Sequence, residues 1–202
     1  MSHHVGVGPH PEPWPDDRRL DTELLSEGDR RNVVDRFRYW SNEAIRAQLD
    51  TERHPFHVAI ENWQHDFNIG TIVRNANAFN ADGVHIVGKR RWNRRGAMVT
   101  DAYMQVRHHP DIASLRAWTT EAGLSIVGVD IIPEAVPIET FTFPERVVLL
   151  FGQEGPGLSE EALDVAESVV EITQYGSTRS INVGVASGIA MHAWVRAHGH
   201  EI

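Results

Sequence analysis

The chain has 202 residues, enough for one domain with a sizeable core plus an extension, and its 41% apolar and 23% charged residues are typical of a globular protein. The lack of cysteine excludes disulfides and thiolate metal sites; no apolar run reaches membrane-spanning length and no signal peptide is visible, so a soluble, cytoplasmic protein without a membrane partner is expected. The net charge of −9 opposes a nucleic-acid partner as a total, yet it is segregated: residues 84–108 carry a net +5 and residues 121–171 a net −10.

Residues 1–30 are predicted to be a flexible arm, because Pro9, Pro11, Pro13 and Pro15 alternate and favour extended backbone. His3, His4 and His10 lack supporting carboxylates and are read as part of that arm, not as a metal site. Residues 31–54 are predicted to form a helical extension, with Val34, Phe37, Ile45 and Leu49 on an apolar face beside Tyr39 and Trp40. The main domain, 55–202, opens with a strand at Phe56–Ile60, followed by a helix carrying Ile72, Val73, Ala76 and Phe79. A turn at Ala81–Gly83 leads to a strand at Val84–Gly88 and then to the basic loop Lys89, Arg90, Arg91, Arg94 and Arg95 around Trp92. Helices are expected near 111–123 and 159–166, and strands at 125–129, 147–151 and 169–172. A last helix from about Ser180 is expected to turn Ile181, Val185, Ile189 and Trp194 to the core. Strands alternating with helices predict an α/β fold, a mostly parallel sheet with helices on both faces.

Three signatures sit where apolar runs end: Asn68-Ile-Gly-Thr-Ile-Val-Arg74, Val147-Val-Leu-Leu-Phe-Gly-Gln-Glu-Gly-Pro-Gly-Leu158, and Ile172-Thr-Gln-Tyr-Gly-Ser-Thr-Arg-Ser-Ile-Asn-Val183. Strand ends are where α/β proteins build ligand sites. Each residue also has an ordinary reading. Gly152–Gly157 can be a plain strand-to-helix turn, and it lacks the G-x-G-x-x-G spacing of a dinucleotide enzyme. Glu154 can favour a helix N-terminus, Ser180 can cap the last helix, Arg74 can be a surface ion-pair residue, and Ile172 and Ile181 can be core. The basic loop can be a solvated surface, although an indole among arginines can also stack on an unpaired base.

In this order and spacing, the three signatures resemble the SpoU (TrmH-type) branch of the SPOUT superfamily, RNA ribose 2′-O-methyltransferases that use S-adenosylmethionine. The resemblance runs from about Phe56 to the C-terminus. It implies an α/β-knot with a C-terminal trefoil, a cofactor pocket at Gly152, Ile172 and Ile181, and a homodimer acting on tRNA or rRNA without metal. Gly157 and Tyr175 are further candidates for that pocket. For catalysis it points to Asn68, Arg74, Glu154, Ser180 and Asn182. An arginine stays protonated, so Arg74 is expected to clamp phosphate and stabilise the developing alkoxide, not to act as base. Two residues depart from the family pattern: Asn80 stands where glycine is common, and Gln153 where a small residue is common. No extra N-terminal RNA-binding domain is expected. The rivals are a non-catalytic RNA-binding or assembly protein with the same fold, and a dinucleotide-dependent enzyme.

Overall fold

The computed structural model describes residues 6–199; His3 and His4 lie outside them. One seven-stranded sheet organises the molecule: β1 (His54–Asn62), β2 (Ala81–Gly88), β3 (Val106–His109), β4 (Ser125–Val129), β5 (Val136–Pro137), β6 (Val147–Phe151) and β7 (Ser168–Glu171). Its order is β3-β2-β1-β6-β4-β7-β5, and every pairing is parallel. The helices are α1 (Thr22–Glu27), α2 (Asn42–Asp50), α3 (Ile69–Ala78), α4 (Ile112–Ala122), α5 (Glu160–Val165) and α6 (Val183–His198).

The central strands are buried on both faces, which is why Val147–Phe151 is an unbroken apolar run. Alternation along β1 divides the core in two. Val58 and Ile60 join Ile72, Val73, Met191 and Trp194 of α3 and α6 on one face. Ala59 faces Leu115 of α4 and Ala162 of α5 on the other. From β1 the chain builds outward through β2 and β3 on one side and returns to place β6 and β4 on the other. The strand order therefore reverses at β1 and β6, and a crevice opens past their carboxyl ends.

The sequence missed two strands. β3 reads Val-Arg-His-His and is mostly exposed at an edge, and β5 is two residues with a proline; neither has an apolar period to detect. At the other end of the chain, residues 6–30 are not a loose arm. Asp21 caps α1 by accepting from the Glu23 and Leu24 N–H groups, Leu25 is buried, and Val7 pairs with Asp29 through two 2.9 Å backbone hydrogen bonds. The buried Asp29 carboxylate is held 2.8 Å from Arg31. The proline run restrains only residues 9–15; the capped segment after it is free to coil. In the next segment Phe37, Ile45 and Leu49 pack against Tyr103, whereas Val34 is exposed.

The last helix also differs from expectation. It starts at Val183, and Asn182, not Ser180, caps it: the Asn182 side chain accepts from Gly184 and Val185 N–H. Its buried residues are Gly184, Ser187, Ala190, Met191 and Trp194, so Val185 and Ile189 point outward, 55% and 38% exposed. The small residues face inward because α6 packs closely on α3: Asn75 Nδ2 donates to Gly184 O at 2.8 Å and to Ser187 Oγ at 3.0 Å. Asn80 adopts the left-handed conformation (φ 49°), in keeping with its place after α3.

Beneath α4, three neighbouring strands each contribute a histidine to one row. His85 contacts His109 at 2.8 Å and His57 at 3.2 Å, His57 reaches Asp82 at 3.1 Å, and Trp118 packs over all three rings. Burial, followed by the neighbouring charges of His57 and His109, pushes the His85 pKa well below the usual histidine value. Burial also lowers His109, and the hydrogen bond from His57 lowers Asp82. A depressed histidine leaves the unfolded chain binding more protons than the folded one below the ordinary histidine pKa, so stability falls on acidification. The depressed Asp82 acts in the same direction at lower pH. Unfolding free energy from denaturant titrations should therefore be flat above about pH 7. It should fall below about pH 6.5 by up to about 1.4 kcal/mol per pH unit for each of the two depressed histidines, His85 and His109. His85→Leu should flatten that slope; an unchanged slope would remove the row from the pH response.

Candidate functional site

Three segments meet at the carboxyl ends of the central strands: the β1–α3 loop, the β6–α5 loop and the segment between β7 and α6. The glycine-rich β6–α5 loop is closed by reciprocal 3.1 Å backbone hydrogen bonds between Gln153 and Gly157. A β-carbon at Gly152 would overlap the Gly157 carbonyl, and Gly157 has φ +77°, so this closure needs glycine at both positions. The Gln153 side chain accepts from Gln64 N–H at 2.9 Å, which ties the loop to the segment after β1.

Asn68 links all three segments. It stands at the N-cap position of α3 but makes no side-chain cap. Instead its amide nitrogen donates to Glu154 Oε2 at 2.7 Å, and its amide oxygen accepts from Asn182 Nδ2 at 2.9 Å. Asn182 in turn uses its own oxygen on the first N–H groups of α6. A carboxylate is thus connected through two amides to a helix N-terminus, where the dipole favours negative charge. Glu154 takes no part in capping α5, which Ser159 does by accepting from Ala162 N–H.

Beside this bridge lies a cleft of about 300 Å³, lined by Gly152, Gln153, Glu154, Gly157, Ile172, Ser180, Ile181 and Asn182, with Val129, Asp130 and Ile131 from the end of β4. It brings together four of the five residues expected to hold a cofactor. Tyr175 is not among the lining residues and is 94% exposed. Asn68, Glu154, Ser180 and Asn182 of the expected catalytic set bridge or line the cleft. Arg74 does not: it is exposed on α3 and its side chain forms no hydrogen bond or ion pair with another described residue.

The basic loop is rooted at the same end of the sheet. Buried Asn62 donates to the carbonyls of Lys89 and Arg91 at 2.7 and 3.0 Å and accepts from Lys89 N–H. Lys89, Arg90, Arg91, Arg94 and Arg95 are all exposed, Arg94 with a 3.2 Å ion pair to Asp101. Trp92 is half-buried. It packs against the main core, and the Arg94 guanidinium lies 5.6 Å from its ring centre.

Two further acids, neither of them part of the three signatures, organise the site. Fully buried Glu61 accepts from Trp63 Nε1 at 2.8 Å and from Ser159 N–H at 2.9 Å, which fixes where α5 begins. Asp130 accepts from Leu158 N–H at 2.7 Å and sits against Gly157. Each lies at the carboxyl end of an apolar strand, and an acid there was the signal available in the sequence.

With this geometry in view, the profile of the SpoU rRNA methylase family matches residues 55–192. The chain belongs to the SpoU methylase family. Membership carries the α/β-knot fold. Among relatives, the tRNA (guanosine(18)-2′-O)-methyltransferase of Escherichia coli K12 is 28% identical over 138 residues, 67% of this chain and 60% of its own. A tRNA/rRNA methyltransferase of Mycobacterium ulcerans, itself uncharacterised, is 30% identical over 161 residues, 74% of this chain and 49% of its own. The chain thus spans about 60% or less of the length of these curated relatives. In structure it resembles the A. aeolicus TrmH/SpoU tRNA modifying enzyme (TM-score 0.68, 22% identity, 77% of this chain and 81% of that one). It also resembles an AdoMet-bound rRNA methyltransferase from Sinorhizobium meliloti (TM-score 0.64, 27% identity, 73% and 59%).

The closure of the glycine loop can be tested without any ligand. Gly152→Ala forces a β-carbon into Gly157 and should destabilise the fold by about 1–3 kcal/mol, the usual cost of overpacking. Amide exchange should accelerate at Gln153 and Gly157 while β1 stays protected. Wild-type exchange at both amides would show that the loop does not depend on this contact.

Proposed function

We propose that this SpoU family member transfers a methyl group from S-adenosylmethionine to a ribose 2′-hydroxyl of tRNA or rRNA. The observation that carries the reading is the Asn68 bridge from Glu154 to Asn182 at the lip of a glycine-walled cleft. The activities named for the relatives agree with it. The lining residues fit the cofactor. Gly152 and Gly157 bring main chain to the cleft wall, Ile172 and Ile181 supply apolar walls, and the lining contains two acids and no basic side chain among the described residues, which suits a cation. When bound, the cofactor supplies an electrophilic sulfonium methyl.

The remaining work falls to the chain. Asn68 and Asn182 hold Glu154 and the start of α6 in a fixed arrangement, and Ser180, exposed at the cleft, is placed to meet the target nucleotide. Arg74 clamps the substrate phosphate and stabilises the developing alkoxide as a permanent cation. Being outside its own chain's cleft, it serves the site of a second copy. A homodimer fits the surface beside it: Phe79, Val185, Gly188, Ile189 and His192 form an apolar groove between α3 and α6, bordered by Thr71 and Asn75, neighbours of Arg74 on the helix. The exposed Lys89, Arg90, Arg91, Arg94 and Arg95 give RNA an electrostatic footing that the chain's net charge of −9 conceals. The N-terminal segments 6–30 and 31–54 serve as a packed extension, the second seated against Tyr103, with the main domain from 55 carrying the chemistry.

Incubation with S-adenosylmethionine and RNA from a strain lacking the gene, followed by nucleoside mass spectrometry, should reveal a single 2′-O-methylated nucleotide. RNA binding without that product would favour the non-catalytic rival. Arg74→Ala should lower the single-turnover rate by about 10² to 10³. It should leave cofactor affinity unchanged, and a mixed dimer with a cleft-defective Asn68→Ala copy should regain activity. No recovery in the mixed dimer would return Arg74 to its own chain's site. Replacing Arg90, Arg91, Arg94 and Arg95 with Gln should reduce the log–log salt slope of RNA binding by about 0.7–0.9 for each phosphate that these arginines neutralise. An unchanged slope would return the loop to a solvated surface.

A further inference from the structure

The cleft contains a second carboxylate, Asp130, that the bridge does not use. It directly follows β4, and its N–H donates to Val170 O of β7 at 3.0 Å, so its backbone is held between two core strands. One carboxylate oxygen accepts from Ile131 N–H at 2.7 Å and the other from Leu158 N–H at 2.7 Å. No salt bridge to Asp130 exists among the described residues, and no basic side chain lines the cleft. An ionised carboxylate offers about four lone-pair positions. Two are taken by main-chain N–H groups, and about two remain beside a cleft that a ligand must dry when it enters. Burying them without donors would be costly, so a ligand that fits must bring hydrogen-bond donors to this spot. Phosphate oxygens cannot do so, which sets this cleft against nucleotides whose phosphates lie near Asp130.

We propose that Asp130 is a specificity-determining residue that accepts hydrogen bonds from the vicinal ribose hydroxyls of the adenosyl cofactor. This rests on the cofactor reading above. Adjacent hydroxyls supply two donors side by side, matching the two open positions of one carboxylate. The same group braces the glycine loop through Leu158, and its closeness to Gly157 leaves no room there for a side chain. Ribose recognition and loop position are therefore built on one residue.

Calorimetric binding of S-adenosylhomocysteine and of its 2′-deoxy and 3′-deoxy analogues to the full chain tests the proposal without turnover. Wild type should bind the ribo-ligand about tenfold or more tightly than either analogue, the size of one charge-assisted hydrogen bond. Asp130→Asn keeps an oxygen for Leu158 but turns an NH2 towards Ile131 N–H and the sugar, so it loses the acceptor on that side and should weaken the ribo-ligand by a similar factor and bring the preference close to one. A purely structural Asp130 would weaken all three ligands equally and leave the ratio intact, which would overturn the proposal. So would a wild-type ratio near one, a result that needs no variant to fold. If wild-type protein binds the analogues and the parent equally well, the cofactor reading survives and only Asp130 is reassigned; if it binds none of them, the cofactor reading falls too.

Discussion

One side-chain amide holds this site together. Asn68 is placed where a helix cap is expected, yet it gives its donor to Glu154 and its acceptor to Asn182, joining segments 86 and 114 residues away. An amide is suited to this because it donates and accepts in opposite directions; aspartate could only accept and would repel Glu154. The chain of contacts ends on the N–H groups that open α6, so the negative charge of Glu154 is matched by a helix dipole through two polarised amides. If Asn68 moved, the glycine loop and the start of α6 would lose their common reference.

The sheet makes that bridge possible. Because β1, β6, β4 and β7 are adjacent and parallel, their carboxyl ends release three loops on the same side. Polar side chains then fix each loop at its root: buried Asn62 holds the basic loop, buried Glu61 the start of α5, and half-buried Asp130 the turn at Leu158. All three sit just at or beyond strand ends, where main-chain N–H and C=O groups run out of ladder partners and need side-chain ones. The basic loop and the cleft are thereby set on one rigid frame, although they come from well-separated stretches of the sequence.

Much of this was visible in the sequence because it depends on local pattern. Strands 125–129, apart from Ser125, and 147–151 are continuous apolar runs, and the capped helix at 111–123 carries its start and stop signals, Asp111 and Gly123, in the chain itself. The site residues Gly152, Ile172, Ile181, Asn68, Glu154 and Asn182 came from three spaced signatures, and they converge on one cleft and its bridge. What stayed hidden was set by tertiary contact. Val185 and Ile189 have the helical spacing of core residues, yet close packing of α6 on α3 demands small residues inward and turns these two out. Trp92, read as a stacking platform among arginines, is also packed against the core. The capped helix at 22–27 follows a proline run that suggested no structure at all, and Arg74, whose neighbours Ile72 and Val73 are buried, itself faces outward.

The central claim is that Asn68 couples Glu154 and Asn182 into one functional unit. A double-mutant cycle on Asn68→Ala and Glu154→Ala, read as single-turnover methyl transfer to RNA, tests it most directly. The account predicts strong non-additivity: the double variant should be no slower than the slower single one, with a coupling of about 1 kcal/mol or more. Rate losses that simply multiply, with each residue acting regardless of the other, would contradict it.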